Sequence, residues 1–133
     1  AHSGALGKEA AGLSAQQRKV IRTLARHGPC TMNDTARHVM LAVSTMTGIV
    51  DKMVKKGLVR RERTDEDRRV VRVSLTEKGE EIYKIDIEEH IEFNRLMLEC
   101  LDAAGQDTYL TLTKEIVRKL ERKIDSGPGT ETQ

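Results

Sequence analysis

Six arginines crowd the thirteen positions from Arg60 to Arg72: Arg60, Arg61 and Arg63 lead into a turn, and Arg68, Arg69 and Arg72 lead out. Guanidiniums are planar, permanently charged and shaped to bind phosphate. At this density they repel one another unless Glu62, Asp65, Glu66, Asp67 or an external anion intervenes. Asp67 precedes Arg69 by two positions, near enough to brace its guanidinium. Just upstream, Ser44, Thr45, Thr47 and Gly48 carry short side chains, followed by Lys52 and Lys55. An arginine-tipped ribbon beside a slim helix suits a long polyanion of regular shape, which points to duplex DNA. Such a helix fits the major groove, about 12 Å wide. A tip arginine suits a narrow minor groove, where the negative potential is enhanced.

Other chemistries find little support. No Ser-His-Asp arrangement and no phosphate-cradling glycine loop is present, so no enzyme activity and no cofactor are expected. Asp86 and His90 sit one helical turn apart, but a solvated surface pair is the expected reading and no metal site follows. Cys30 and Cys100 form neither a metal spacing nor a disulfide framework. Each is read as a small buried hydrophobe, with a thiol-redox response as the alternative.

Charge is strongly polarised along the 133 residues. Ser14 to Gly79 holds 15 Lys/Arg against 7 Asp/Glu, a balance of +8, whereas Glu80 to Gln133 holds 7 against 13, or −6. One part therefore attracts phosphate and the other repels it. Aromatics are only 2% of the chain, so the interior must be built from Leu, Ile, Val and Met. No apolar run approaches the roughly 20 residues that cross a bilayer, and no secretory segment is recognised. A reducing cytoplasm, in association with the nucleoid, is the expected location.

Periodicity supplies the elements that must position these groups. Residues 1–13 contain Gly4, Gly7 and Gly12 and read as a loose arm. Ser14 and Gln17 form a capping box for a helix to about Arg26, which Gly28-Pro29 ends. Cys30 to Met32 is an extended bridge, and Asn33 is the expected N-cap of a brief helix ending near Met40. A tight turn leads to the Val43–Lys56 helix, with Met46, Ile49, Val50, Met53 and Val54 inward and Gly57 at its end. From Leu58 the period changes to two. Val59–Thr64 pairs with a strand carrying Val71, Val73 and Leu75 across the turn Asp65–Arg68. Thr76 caps a long helix to about Leu101, Ala103-Ala104-Gly105 breaks it, and a last helix spans Gln106 to Lys123. A disordered tail is expected over residues 125–133. The expected fold is mainly α with a small β-hairpin: a winged helix-turn-helix lobe over residues 14–79 and a helical dimerisation region over 80–124.

The segment GLVRRERTDEDRRVVRVSLTEKG (Gly57–Gly79) resembles the wing signature of the MarR family of bacterial transcription regulators. Its pattern Asp-x-Arg-x-x-x-Val-x-Leu-Thr falls on Asp67, Arg69, Val73, Leu75 and Thr76. STMTGIVDKMVKKGLV (Ser44–Val59) resembles that family's recognition helix, and the likeness covers about Leu13 to Ile124. The resemblance implies a homodimer on a pseudo-palindromic site, one helix of each protomer in a major groove and one wing in the flanking minor groove. Ser44, Thr45, Thr47, Gly48, Lys52 and Lys55 would serve the helix, and Arg61, Arg63, Asp67, Arg68, Arg69 and Arg72 the wing, with Arg69 at the tip held by Asp67. Three departures stand out. Ala42 and Val43 replace the Ser and Arg frequent at the head of that helix, and Gly48 replaces a frequent internal Arg. The family's long first helix is not matched: thirteen residues precede Ser14, which leaves the dimer to the last two helices or to residues beyond the given sequence.

Dimerisation also has a warrant in the residues themselves. Ile87, Ile91, Leu98 and Leu101 stripe the long helix, and Leu112, Ile116 and Leu120 stripe the last. That is more apolar surface than one small domain covers, and a two-fold mate is the economical cover. The family commonly binds small amphipathic or aromatic ligands, for which Arg18, Ile21, His38 and Tyr83 are the candidate pocket. A winged module that binds protein and not operator DNA is the competing reading, favoured by the three departures.

Overall fold

The computed structural model describes residues 4–126, which divide after Glu88 into two compact units. The first holds α1 (Ala5–Ala11), α2 (Ala15–His27), β1 (Cys30–Thr31), α3 (Met32–Val39), α4 (Val43–Lys55), β2 (Val59–Arg63), β3 (Val71–Leu75) and the opening turns of α5 (Glu77–Glu99). The second holds the rest of α5 and α6 (Ala103–Ser126).

Local chemistry sets the helix ends of the first unit. Ser14 Oγ accepts from the Gln17 backbone N–H at 3.1 Å while Gln17 Oε1 accepts from the Ser14 N–H at 3.0 Å, the expected capping box. Thr31, and not Asn33, caps α3: its Oγ1 accepts from the Asp34 N–H at 3.1 Å. Thr31 wins because pairing in β1 already holds its backbone extended, as an N-cap requires. Met40 ends α3 in the left-handed region (φ 58°), a conformation uncommon outside glycine, and so turns the chain sharply into α4.

The sheet order is β1-β3-β2, antiparallel throughout. Cys30 and Thr31, read as a bridge, form a true edge strand opposite Val73 and Arg72. Val59 faces Leu75, and Arg63 faces Val71 at the hairpin's far end. Under the sheet lies an aliphatic core from α2, α3, α4 and α5, in which Val20, Met46, Val50, Met53, Leu58, Val73 and Ile82 are fully buried.

Where α4, the hairpin and α5 converge, the chain is pinned through its backbone. Gly57 takes φ 75°. Thr76 Oγ1 donates to the Gly57 carbonyl at 2.5 Å and accepts from the Gly79 N–H at 3.1 Å. Lys78 Nζ donates to the Lys56 carbonyl at 2.9 Å. Gly79 packs so closely that an added Cβ would lie 2.1 Å from the Leu58 carbonyl oxygen.

Two expectations need correction, the first at the beginning of the chain. Residues 5–11 are a helix and not a loose arm, and Ala10 and Leu13 join the core; residues 1–3 of that arm lie outside the described residues. Glycine content alone argued against a helix, but tertiary contacts override it. Arg18 donates to the Ala10, Ala11 and Leu13 carbonyls at 3.0, 3.2 and 3.3 Å, closing the C-terminal end of α1. The same guanidinium reaches Asp86 Oδ1 at 3.1 Å, and Arg22 Nε reaches Asp86 Oδ2 at 2.7 Å. Asp86 is buried and bound by two cations, and so is not the solvated surface residue expected beside His90.

In the second unit, Ala103-Ala104-Gly105 opens α6 and does not break a helix. Asp102 Oδ1 accepts from the Gly105 N–H at 2.7 Å, capping the first turn, and the expected start at Gln106 falls inside the helix. Helix α6 continues to Ser126, past the expected tail boundary; residues 127–133 of that tail lie outside the described residues. None of the described residues from Glu89 onward is buried.

Two stability predictions follow from this packing. Gly79→Ala should lose about 2–3 kcal/mol, because backbone must move to admit the methyl group; urea unfolding measures it. Burial works to raise the Asp86 pKa, but the Arg22 hydrogen bond and the charges of Arg22 and Arg18 outweigh it, and the group lies below its ordinary value. A carboxylate so depressed contributes stability at neutral pH and loses it as pH falls through the depressed pKa. Asp86→Asn should therefore cost roughly 2–3 kcal/mol at neutral pH, a penalty that fades in unfolding curves taken below the usual carboxylate range.

Candidate nucleic-acid interface

Helix α4 buries Met46, Val50 and Met53, which turns Val43, Ser44, Thr45, Thr47, Gly48, Lys52 and Lys55 outward. Its N-cap, Ala42, supplies no side-chain hydrogen bond, so the first-turn N–H groups and the positive end of the helix dipole stay open to phosphate. The predicted helix residues thus share one exposed face.

The wing tip is a small hydrogen-bonded knot. Thr64 Oγ1 donates to the Asp67 carbonyl at 2.7 Å and accepts from the Asp67 N–H at 3.1 Å. The Val70 N–H donates to the Asp67 carbonyl at 3.0 Å. Asp67 Oδ1 accepts from the Arg69 backbone N–H at 3.0 Å and from Arg69 Nε at 3.2 Å. Those two bonds, the backbone one foremost, hold the Asp67 carboxyl below its usual range. Arg69 is left 92% exposed, its guanidinium oriented from behind and offered to solvent.

The other arginines divide by task. Arg61 crosses to α4 and meets Asp51 Oδ1 at 2.5 Å, a tie between helix and wing with no clear mark in the sequence. Arg63 Nη1 donates to the Arg68 carbonyl at 2.5 Å, stitching the base of the tip. Arg68 and Arg72 are exposed. Between α4 and the wing lies an open cleft of about 480 Å³ lined by Met32, Thr47, Arg61, Glu62, Arg63 and Val71. Thr47 of α4 and Arg61 and Arg63 of the wing thus share one cleft.

The four candidate pocket residues do not gather. Ile21 is core, Arg18 is spent on α1 and Asp86, and His38 stacks on His27 at 4.2 Å between ring centroids. Tyr83 lines a separate crevice of about 360 Å³ with Leu24, Pro29, Leu75, Glu80 and Lys84. Among the described residues no cluster of His, Cys, Asp and Glu has metal-holding geometry, and no helix is long and apolar enough to cross a membrane.

Residues 13–71 match the family model described as MarR family. The helix-turn-helix-type transcriptional regulator FarR of Neisseria gonorrhoeae is 30% identical over 116 residues, covering 87% of this chain and 77% of FarR. This chain belongs to the MarR family. The resemblance read from the recognition-helix and wing segments is borne out, as is the mainly helical winged fold. The helix-turn-helix-type regulator YfiV of Bacillus subtilis is 38% identical over 72 residues, 54% of this chain but 45% of YfiV, so the match spans under half of that relative. The structure of NadR in complex with 4-hydroxyphenylacetate is 30% identical with a TM-score of 0.71, covering 86% of this chain and 78% of NadR. MarR-family proteins are DNA-binding transcriptional regulators, and the family assignment places this chain among them.

The thiols can be tested directly. Cys30 is buried with its Sγ donating to the Gly28 carbonyl at 3.2 Å, whereas Cys100 is exposed. Burial foremost, then Asp34, pushes the Cys30 thiol up, and Arg72 only partly offsets this. A protonated, buried thiol is a poor nucleophile. Iodoacetamide should modify Cys100 at least about tenfold faster than Cys30 in the folded protein, read by mass spectrometry.

Proposed function

We propose that two copies of this chain pair through the apolar faces of residues beyond Glu88 and act in the cytoplasm as a repressor on a pseudo-palindromic operator. In each protomer Ser44, Thr45, Thr47, Gly48 and Lys52 of α4 face the major groove, and Lys55 meets phosphate. Arg61, Arg63, Arg68, Arg69 and Arg72 lie along the flanking backbone and minor groove, Arg69 innermost. The observation that carries this reading is Arg69 itself, almost fully exposed and held in one orientation by Asp67. An arginine so placed has already lost part of the freedom that binding would remove.

The dimer is supported by large apolar side chains left in water. Ile91, Leu101, Leu112, Ile116 and Leu120 are 59%, 41%, 53%, 58% and 46% exposed, and no described residue of α6 is buried. Leu98 is half-buried beside them, and Ile87 belongs to the first unit. Two-fold pairing sets the recognition helices about 34–36 Å apart, one turn of DNA.

The signal is a small amphipathic or aromatic molecule seated beside Tyr83. Leu24, Pro29 and Leu75 supply apolar walls there, and Glu80 and Lys84 supply polar handles. NadR was solved with a molecule of that chemistry. A ligand that favours the DNA-free arrangement releases the operator by its difference in affinity between the two states.

The test is Arg69→Ala. Gel shift on duplexes selected from a random pool should show a loss of about tenfold or more, while sedimentation shows the same oligomer as the parent. Binding as tight as the parent would remove the wing from the reading. Failure to enrich any duplex would favour the protein-binding module.

A further inference from the structure

We infer that the first two turns of α4 read A·T base pairs through thymine methyl groups, so that the half-site carries thymine, and not guanine, where those turns meet the bases. This rests on the DNA-binding reading above and specifies its sequence chemistry.

The outward face of α4 includes two adjacent rows of residues four apart. Val43, Thr47 and Asp51 form one; Ser44, Gly48 and Lys52 form the other. In the first row Val43 is a branched aliphatic, 42% exposed. Thr47 Oγ1 donates to the Val43 carbonyl at 2.9 Å, which commits the hydroxyl proton to the helix backbone and leaves the oxygen able only to accept, beside an outward γ-methyl. Asp51, the residue able to accept from a cytosine amino group, is occupied by Arg61.

In the second row Gly48 is bare although space is not the reason: an added Cβ would meet nothing within 4 Å. A missing side chain there lets base edges approach the helix backbone. From Val43 to Gly48 no guanidinium, ammonium or carboxamide is offered. The bidentate donors that read guanine O6 and N7, and the amides that read adenine N6 and N7, are therefore absent from these two turns. What remains is methyl groups and the hydroxyls of Ser44 and Thr45. Only thymine presents an apolar group in the major groove, its C5 methyl, and hydroxyls accept either partner in a base pair. Lys52 and Lys55 follow further along the helix, where they add affinity without choosing these bases.

Selection of the full chain against a random duplex pool, with footprinting to mark the positions under α4, supplies the probe. Two-fold half-sites with A·T pairs at those positions are expected. Replacing their thymines by deoxyuridine keeps every hydrogen bond and deletes only the methyl, and should weaken binding about fourfold per methyl. Val43→Ser, a change at an exposed position, should blunt that sensitivity, and Gly48→Arg should draw guanine into the half-site. Guanine at the α4 positions of the parent, or indifference to deoxyuridine, overturns the inference while leaving DNA binding intact. A pool in which no duplex is enriched overturns the DNA-binding reading itself, and the inference with it.

Discussion

The approach of Gly79 to the Leu58 carbonyl governs how the winged lobe is assembled. With no side chain at Gly79, the first turn of α5 lies directly against the start of the wing, and Thr76 and Lys78 bond to the carbonyls that close α4. Helix α4, the hairpin and α5 are thereby joined through backbone groups, which have little freedom to drift. Thr76 and Lys78 each fix a side-chain rotamer to do so, whereas the Thr76 N–H bond to the Leu58 carbonyl at 3.1 Å joins backbone to backbone. The separation between α4 and the hairpin is constrained here, at the junction they share, and binding surfaces depend on such fixed spacing.

Charge in the wing is managed by giving several guanidiniums an internal task. Arg61 ties to Asp51 of α4, Arg63 closes over the Arg68 carbonyl, and Arg69 lies against Asp67. Exposed ion pairs of this kind contribute little to stability. Their value is orientation: repulsion among six cations is relieved by carboxylates and carbonyls that also aim the side chains. The tip knot around Thr64 and Asp67 does the same for the backbone beneath Arg69. On the proposed reading, phosphate meets at this surface a field already arranged for it.

At the other side of the first unit, Asp86 plays a comparable organising part under different conditions. It is buried, so its two arginine partners cannot be replaced cheaply by water, and Arg18 passes the constraint on to the last turn of α1. The helix at the beginning of the chain is thus held by a side chain of α2 and a carboxylate of α5, more than by its own glycine-containing sequence. Residues beyond Glu88 contrast with this. Their large aliphatics remain exposed, and helix propensity with i,i+4 pairs such as Lys119 with Glu115 carries the elements.

Wherever structure followed from local patterning, the sequence determined it alone. The Ser14 capping box, the glycine stop at Gly57, the change of period at Leu58 and the apolar row Met46, Val50, Met53 each depend on neighbours a few residues away. The wing pattern from Asp67 to Thr76 was likewise legible, because Asp67 and Arg69 interact across a single turn. Tertiary structure alone decided what depends on distant partners: α1 as a helix, Thr31 as the cap of α3, the Arg61–Asp51 tie, and the commitment of Arg18 to Asp86 and of Ile21 to the core. No spacing rule relates Asp86 to Arg18 and Arg22, or Gly79 to Leu58. Such pairs meet only after the core has formed, and their energies come from burial and close approach, which a linear pattern does not carry.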